Sequence, residues 1–427
     1  MRSTFLPLAS HSLGEEEIAE VVDTLRSDWI TTGPKVKRFE EEFAAALGAP
    51  AALGVNSCTA ALHLALRALD VGPGDAVITT PITFCSGVHV IEHCGARPVL
   101  ADVEPDTLNL DPAQVRRVLK DWTGGPSGQE RIKAILPVHL YGHPCNLDAL
   151  AEIAAEHGLA IIEDAAHALP ARANRRTIGA PLAGARIPVL TCFSFYATKN
   201  LTTGEGGMLT GPPDLVEEAR VLSLHGMSHD AWKRYGAGGS WFYEVTRLGF
   251  KYNMTDIQAA IGLQQLRKLP GFHALRTGIA HRYQEAFSVI DSLLCPAERC
   301  DVEHAWHLYA LRLRKERLNL SRDRFIEELR VRNIGSSVHF IPVHLHPYYR
   351  DKYGYRPEDF PVASSQYEAL VSLPLCPRMT SQDVEDVIEA VTEIVASLGP
   401  LAERRQPVEQ SSTRRHCRAH ASSADSL

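Results

Sequence analysis

Apolar residues recur at helical spacing in two early stretches, 14–27 (GEEEIAEVVDTLRS) and 36–47 (VKRFEEEFAAAL), which predicts two amphipathic helices. A third stretch, 59–69 (TAALHLALRAL), is apolar almost all round, so the helix it predicts is deeply buried. From there short apolar runs alternate with helical ones. Strands are expected at 76–80, 98–103, 133–138, 159–163, 190–195 and 207–210. Between two of them lies a helix over 147–157, followed by Gly158, a residue suited to a left-handed cap. This alternation argues for an α/β fold with a mainly parallel central sheet covered by helices on both faces.

After about residue 272 the texture changes. Helical HALRTGIAHRYQEAF is followed by HLYALRLR, helical SRDRFIEELRVRN, a Pro/His/Tyr-rich loop (HFIPVHLHPYYRDKYGYRP) and a helix over 381–397. The expected organisation is therefore a large domain over 1–271 and a smaller C-terminal α+β domain over 272–398. Residues 399–427 are polar, biased to Ser and Arg and without periodicity, and are expected to form a disordered tail.

Composition narrows the function classes. The chain has 427 residues, 45% hydrophobic and 22% charged, enough for a sizeable core in more than one domain. Lys plus Arg total 44 against 51 Asp plus Glu, and the resulting charge of −7 argues against a nucleic-acid partner. The one basic cluster, Arg414-Arg415-His416, falls in the tail. Nine scattered cysteines with no C-x-x-C pair read as reduced thiols. His139-x-x-x-His143-x-Cys145 surrounds a Gly142/Pro144 turn with no second ligand pair, so no metal is expected. Neither an apolar leader nor a run of membrane-spanning length is present, and the expectation is a soluble cytoplasmic protein with no membrane partner.

Three places could build a pocket at the carboxyl ends of the strands, where open α/β sheets hold ligands. Asn56-Ser57-Cys58-Thr59 opens the buried helix; its free N–H groups and the helix dipole suit a phosphate, or it is a plain N-cap. Asp164 follows the strand LAIIE and could keep a pyridine nitrogen protonated, or cap the next turn. His167, just behind it, could bond a cofactor or Asp164, or be a satisfied core histidine. Lys199 follows a strand in FSFYATKN, ahead of Thr203-Gly204-Glu205-Gly206-Gly207. The surrounding residues are too apolar and small for a casual surface lysine. A lysine so placed can bond an aldehyde cofactor and then carry the proton between substrate carbon and cofactor.

Taken in order, these stretches resemble the DegT/DnrJ/StrS family of PLP-dependent nucleotide-sugar aminotransferases over about residues 5–397. The matching segments are LRSDWITTGPKVKRFEEEFAAALGAP, VNSCTAALHLALRALDVGPGDAVITTPITF, IIEDAAHA, FSFYATKNLTTGEGGMLTG, LGFKYNMTDIQAAIGLQQL, HFIPVHLHPYYRDKYGY and SLPLCPRMT. The resemblance implies the PLP-transferase fold type I, aspartate-aminotransferase-like, with pyridoxal 5'-phosphate (PLP) as cofactor. It makes Lys199 the covalent lysine and Asp164 the ring-nitrogen partner. Phe84 takes the place of an aromatic stacked on the ring, with a core Phe as the plain alternative. Ser194, Cys58 and Thr59 match phosphate contacts, and His167 the position beside the ring hydroxyl. Many members read G-[YF]-N-Y-R-M where this chain has Gly249-Phe250-Lys251-Tyr252-Asn253-Met254, so Lys251 or Asn253 would reach the phosphate of a neighbouring subunit. That pattern implies a homodimer with shared active sites.

The implied reaction moves nitrogen from an amino donor, glutamate by resemblance, to a keto sugar on a nucleotide, a 4-keto-6-deoxy hexose on UDP or dTDP. It would serve a surface polysaccharide, another glycan or a secondary metabolite. The sugar would lie between the large domain, the loop around His339–His344 and the partner. His344 is a candidate substrate contact or else a structural turn histidine. The rival readings are a sugar dehydratase, a non-catalytic regulator on the same fold and an amino-acid enzyme of the desulfurase type. A dehydratase branch replaces the lysine by His, so retention of Lys199 favours transamination. The regulator lacks a DNA-binding domain here, and WITTGP with HFIPVHL weakens the amino-acid reading.

Overall fold

A computed structural model describes residues 2–227 and 242–398; the tail expected at 399–427 lies outside the described residues. The chain runs α1 (Glu15–Arg26), α2 (Pro34–Leu47), β1 (Ala52–Val55), α3 (Cys58–Ala68), β2 (Asp75–Thr79), α4 (Ser86–His93), β3 (Arg97–Leu100), α5 (Pro112–Asp121), β4 (Arg131–Leu136), α6 (Leu147–His157) and β5 (Ala160–Asp164). It continues with the short β6 (Arg172–Ala173) and β7 (Arg176–Thr177), then β8 (Val189–Ser194), β9 (Gly207–Thr210), α7 (Pro213–Ser223) and α8 (Asp256–Phe287). The C-terminal portion holds β10 (Leu293–Leu294), β11 (Val302–Glu303), β12 (Tyr309–Leu313), α9 (Arg322–Val331), α10 (Pro347–Tyr353), α11 (Pro361–Tyr367), β13 (Leu370–Leu373) and α12 (Ser381–Leu398).

Seven strands form the central sheet in the order β1-β9-β8-β5-β4-β2-β3. The pairs from β8 to β3 are all parallel, and β9 alone runs against its two neighbours. Strand alternation feeds two cores. Ile78, Ile135, Ile161, Phe193 and Met208 face the α2, α6 and α8 side, while Val77, Leu136, Ile162, Leu190, Cys192 and Leu209 face α3 and α7. The period of two therefore puts Asp164 and Ser194 on the α3 side, at the strand ends. α3 is buried nearly throughout, as its apolar circumference requires.

Glu163 points to the opposite face from Asp164 and is fully enclosed. His139 Nε2 lies 2.9 Å and Arg176 Nη2 2.7 Å from its carboxylate. His139 Nδ1 also accepts from Cys145 N at 3.0 Å, so both ring nitrogens serve this structural network. Burial acts to raise the Glu163 carboxyl, but Arg176 and His139 outweigh it and hold it at about 2, against 4.5 ordinarily. The stability this contributes is present above the ordinary carboxylate range and is lost as pH falls through the lowered value. Glu163→Gln leaves a guanidinium unpaired in the core and is expected to cost about 3 kcal/mol at pH 7, with the gap to wild type closing towards pH 2. Urea unfolding at pH 7 and at pH 3 checks both.

α8 is a single helix of 32 residues that passes straight through Pro270 and Gly271. The division expected at 271/272 thus falls inside it. Its second half packs with β12, β13, α9 and α12 in a separate C-terminal core that also takes in Leu6 from the N-terminus. A further cluster joins Ile82, Val88, Leu140 and Tyr141 of the sheet region to Leu308, Val343 and Tyr349, and so fixes the 339–346 loop over the strand ends.

Candidate active site

At the carboxyl edge of the sheet lies a cavity of about 540 Å³. Cys58, Thr59, Phe84, Asp164, His167, Ser194 and Lys199 all line it, as do Ser57, Tyr196, Glu205, His307, His339 and Phe340.

The floor comes from α3. Ser57 caps the helix, its hydroxyl accepting from Ala60 N at 3.1 Å, so the N–H groups of the first turn open toward the cavity with the positive end of the dipole. Gly207, where β9 begins, lies against this turn: a Cβ there would sit 2.6 Å from the Ser57 carbonyl carbon and 2.7 Å from Cys58 N. Gly207→Ala is expected to push the helix start away, costing about 1–3 kcal/mol of stability by overpacking. It should also weaken anion binding at the turn at least tenfold, as read by melting temperature and titration with PLP.

Asp164 ends β5 and is buried; its Oδ1 accepts from Ala166 N at 3.0 Å. Burial raises its carboxyl above the ordinary value, with that N–H and Lys199 acting against the rise. Lys199 is held on a turn by its own N–H to Tyr196 O at 2.9 Å. Its ammonium makes no ion pair or hydrogen bond with a described residue. Burial pushes it down to about 8 from 10.5, with Cys58 and Asp164 opposing. An amine so placed is substantially neutral near pH 8 and able to act as nucleophile or base.

Three imidazoles complete the wall. His167 Nδ1 accepts from Tyr141 N at 3.2 Å, which places its proton on Nε2, and burial with the Lys199 charge keeps the ring neutral. It stacks on Phe340 (5.7 Å, 18°). His339 lies nearby, its carbonyl accepting from the Tyr141 hydroxyl. Phe84, with its ring centroid 6.0 Å from that of Phe340, lines the same cavity and is 59% exposed.

Three sequence candidates lie elsewhere. Lys251 is exposed, and its carbonyl accepts from Asn56 Nδ2 at 3.3 Å. Asn253 donates to Thr32 Oγ1 at 2.6 Å, and the 251–253 segment runs beside Val55 and Asn56 of the same chain. His344 is fully enclosed, its Nε2 paired with Ser364 Oγ at 2.9 Å and its ring against Phe360. It does not line the cavity, and the structural-turn reading describes its contacts. His307, Phe340, Tyr196 and Glu205 were not singled out by sequence, and only folding brings the first two to Lys199.

The geometry is matched by comparison with known proteins. The model of the DegT/DnrJ/EryC1/StrS aminotransferase family matches residues 11–392. The chain belongs to this family. As a member it is a PLP-dependent aminotransferase of fold type I. It is 50% identical over 396 residues to the spore coat polysaccharide biosynthesis protein SpsC of Bacillus subtilis, covering 92% of this chain and 98% of that one. Among solved structures, the PLP form of the putative sugar aminotransferase Spr1654 from Streptococcus pneumoniae superposes with a TM-score of 0.82 at 33% identity, covering 92% of this chain and 99% of the other. PseC of Helicobacter pylori, an aminotransferase of pseudoaminic acid biosynthesis, gives 0.82 at 25% identity over 93% of this chain and 100% of its own. The cavity suits the family's cofactor: a capped helix start, an enclosed carboxylate, an amine with no partner among the described residues and an exposed aromatic ring line a space of about 540 Å³. Among the described residues no helix is long and apolar enough to cross a membrane.

Proposed function

We propose that this aminotransferase moves nitrogen from L-glutamate to a nucleotide-linked 4-keto-6-deoxy hexose, in the cytoplasm, for a surface polysaccharide, another glycan or a secondary metabolite. The observation that carries the reading is the Lys199 amine, without a partner among the described residues, in one cavity with Asp164. Its relatives, a coat-polysaccharide protein and sugar aminotransferases, support a sugar as acceptor.

Bound, PLP supplies an electron-accepting ring and an aldehyde carbon that carries the transferred nitrogen. Lys199 would be the residue that holds the cofactor covalently, and its amine, when free, would carry the proton at the substrate carbon. Asp164 would keep the ring nitrogen protonated, Phe84 would pack on the ring, and His167 Nε2 would donate to the ring hydroxyl. The Cys58 and Thr59 N–H groups, with Ser194 Oγ, would hold the phosphate. The described wall brings one ammonium and no guanidinium to substrates that carry carboxylates and phosphates. A second copy in a homodimer with shared sites would add either a cation, Lys251, or a neutral amide donor, Asn253, toward the phosphate.

The test incubates purified protein with PLP, L-glutamate and a panel of UDP- and dTDP-keto sugars and follows products by mass. An amino sugar one nitrogen richer, with 2-oxoglutarate formed in equal amount, is expected. Turnover of keto acids but of no keto sugar would overturn the sugar assignment.

A further inference from the structure

His307 lies just ahead of β12, some hundred residues beyond Lys199 in sequence, yet the two share the cavity wall. Its backbone is fixed by the buried Arg276, whose Nη1 reaches Trp306 O at 3.2 Å, His307 O at 3.3 Å and Leu375 O at 2.9 Å. Its ring is fixed by Asn200, the residue after Lys199. Asn200 Nδ2 donates to Leu169 O and Ala305 O, both at 2.8 Å, and this settles which end of the amide is oxygen. Asn200 Oδ1 can then only accept, so the His307 Nδ1 that lies 3.3 Å away carries the proton. The other nitrogen, Nε2, is left as a bare lone pair. It has no hydrogen-bond partner among the described residues and is not sealed away as a buried orphan.

The neighbouring imidazoles differ. His167, with ring centroids 4.4 Å from His307, presents a donor at Nε2 because its Nδ1 is already an acceptor. His339 Nδ1 faces the Ser372 hydroxyl at 2.9 Å, which can donate or accept and fixes no tautomer. Of the three rings, His307 is the one compelled to offer an acceptor. Burial, then the Lys199 charge, holds it well below the usual histidine range, so it stays neutral while Lys199 is an ammonium.

We propose that His307 is a positioning residue for Lys199: its Nε2 accepts a hydrogen bond from the lysine ammonium whenever Lys199 is released and carrying the substrate proton. This rests on the transamination reading above. The proton stays on Nζ throughout; His307 gives it an acceptor in a water-poor site and aims it back at the substrate carbon, and no bond to His307 forms or breaks. Asn200 serves by locking the tautomer.

The experiment starts from cofactor-free protein labelled with ¹⁵N-imidazole histidine, with His307 signals identified by their loss in His307→Gln. The expected spectrum shows Nδ1 protonated and Nε2 bare at pH 7. A protonated Nε2 overturns the proposal whatever the substrate proves to be. With holoenzyme, His307→Phe is expected to lower the rate of the glutamate half-reaction about 10- to 100-fold with KM for glutamate within about threefold, and to raise the isotope effect with α-deuterated glutamate. His307→Gln, which keeps an acceptor, should recover part of the rate. A rate unchanged in His307→Phe, or a loss confined to KM, also overturns it. If wild type processes no amino donor, the transamination reading fails, while the tautomer is still decided by the spectrum.

Discussion

Lys199→Ala is expected to abolish amino transfer, lowering kcat by at least about 10⁴-fold, because it removes the nucleophile and the proton carrier together. Borohydride reduction of wild-type holoenzyme should fix the cofactor to the peptide that contains Lys199, and the variant should give no such adduct by mass. Lys199→Arg keeps a cation of similar reach, yet a guanidinium neither bonds the aldehyde carbon nor gives up a proton near neutrality, so it should be equally inactive. Charge alone would have restored something. The loss is also separable from misfolding. Burial lowers the Lys199 ammonium to about 8 from 10.5, so the folded protein holds fewer protons there than the unfolded chain. The cost to folding is fully present below about pH 8 and fades as pH rises toward the ordinary lysine range. Removing the amine relieves it, and the cofactor-free Lys199→Ala protein should melt at or above the wild-type temperature at pH 7. A variant that loses activity and also melts well below wild type would point to a structural lysine instead.

Much of this site was legible because it rests on strand ends. The strand expected at 190–195 forms over Val189–Ser194 and that at 159–163 over Ala160–Asp164, so Ser194 and Asp164 arrive at the same edge. Continuous apolar runs between polar turns carry that signal strongly. β1, only Ala52–Val55, is too short to show a period, although it delivers α3 to the cavity. α8 was legible only in its second half. Pro270-Gly271 reads as a break, but packing against α1 and α2 on one side and the C-terminal core on the other carries the helix across it. His307 was hidden for another reason. HLYALRLR spells a buried strand, and a histidine at its start gives no local sign that Asn200, more than a hundred residues earlier, will fix its tautomer. His344 stayed open between a substrate contact and a turn histidine, since a Pro/His/Tyr-rich loop resembles a binding loop, and here its ring packs inward on Phe360.

Asp164→Asn should separate function from stability most sharply. The amide has nearly the same shape, and its oxygen can keep the 3.0 Å bond from Ala166 N. What it cannot do is hold a proton on a ring nitrogen, because a neutral amide does not stabilise a neighbouring cation as a carboxylate does. The proposed role therefore predicts a kcat lower by about 10²- to 10³-fold and PLP binding weaker by about tenfold or more. Burial already raises the Asp164 carboxyl in the cofactor-free protein, which means the fold bears an enclosed anion whose natural counter-charge is the cofactor. Replacing it by a neutral group of equal size should leave the cofactor-free protein as stable as wild type or more so. With PLP added, the order should reverse, since the tighter binder gains more by mass action. Melting curves with and without PLP test this directly. A variant that is destabilised in both states, or that keeps full turnover, would show that Asp164 is only a cap on the turn to Ala166.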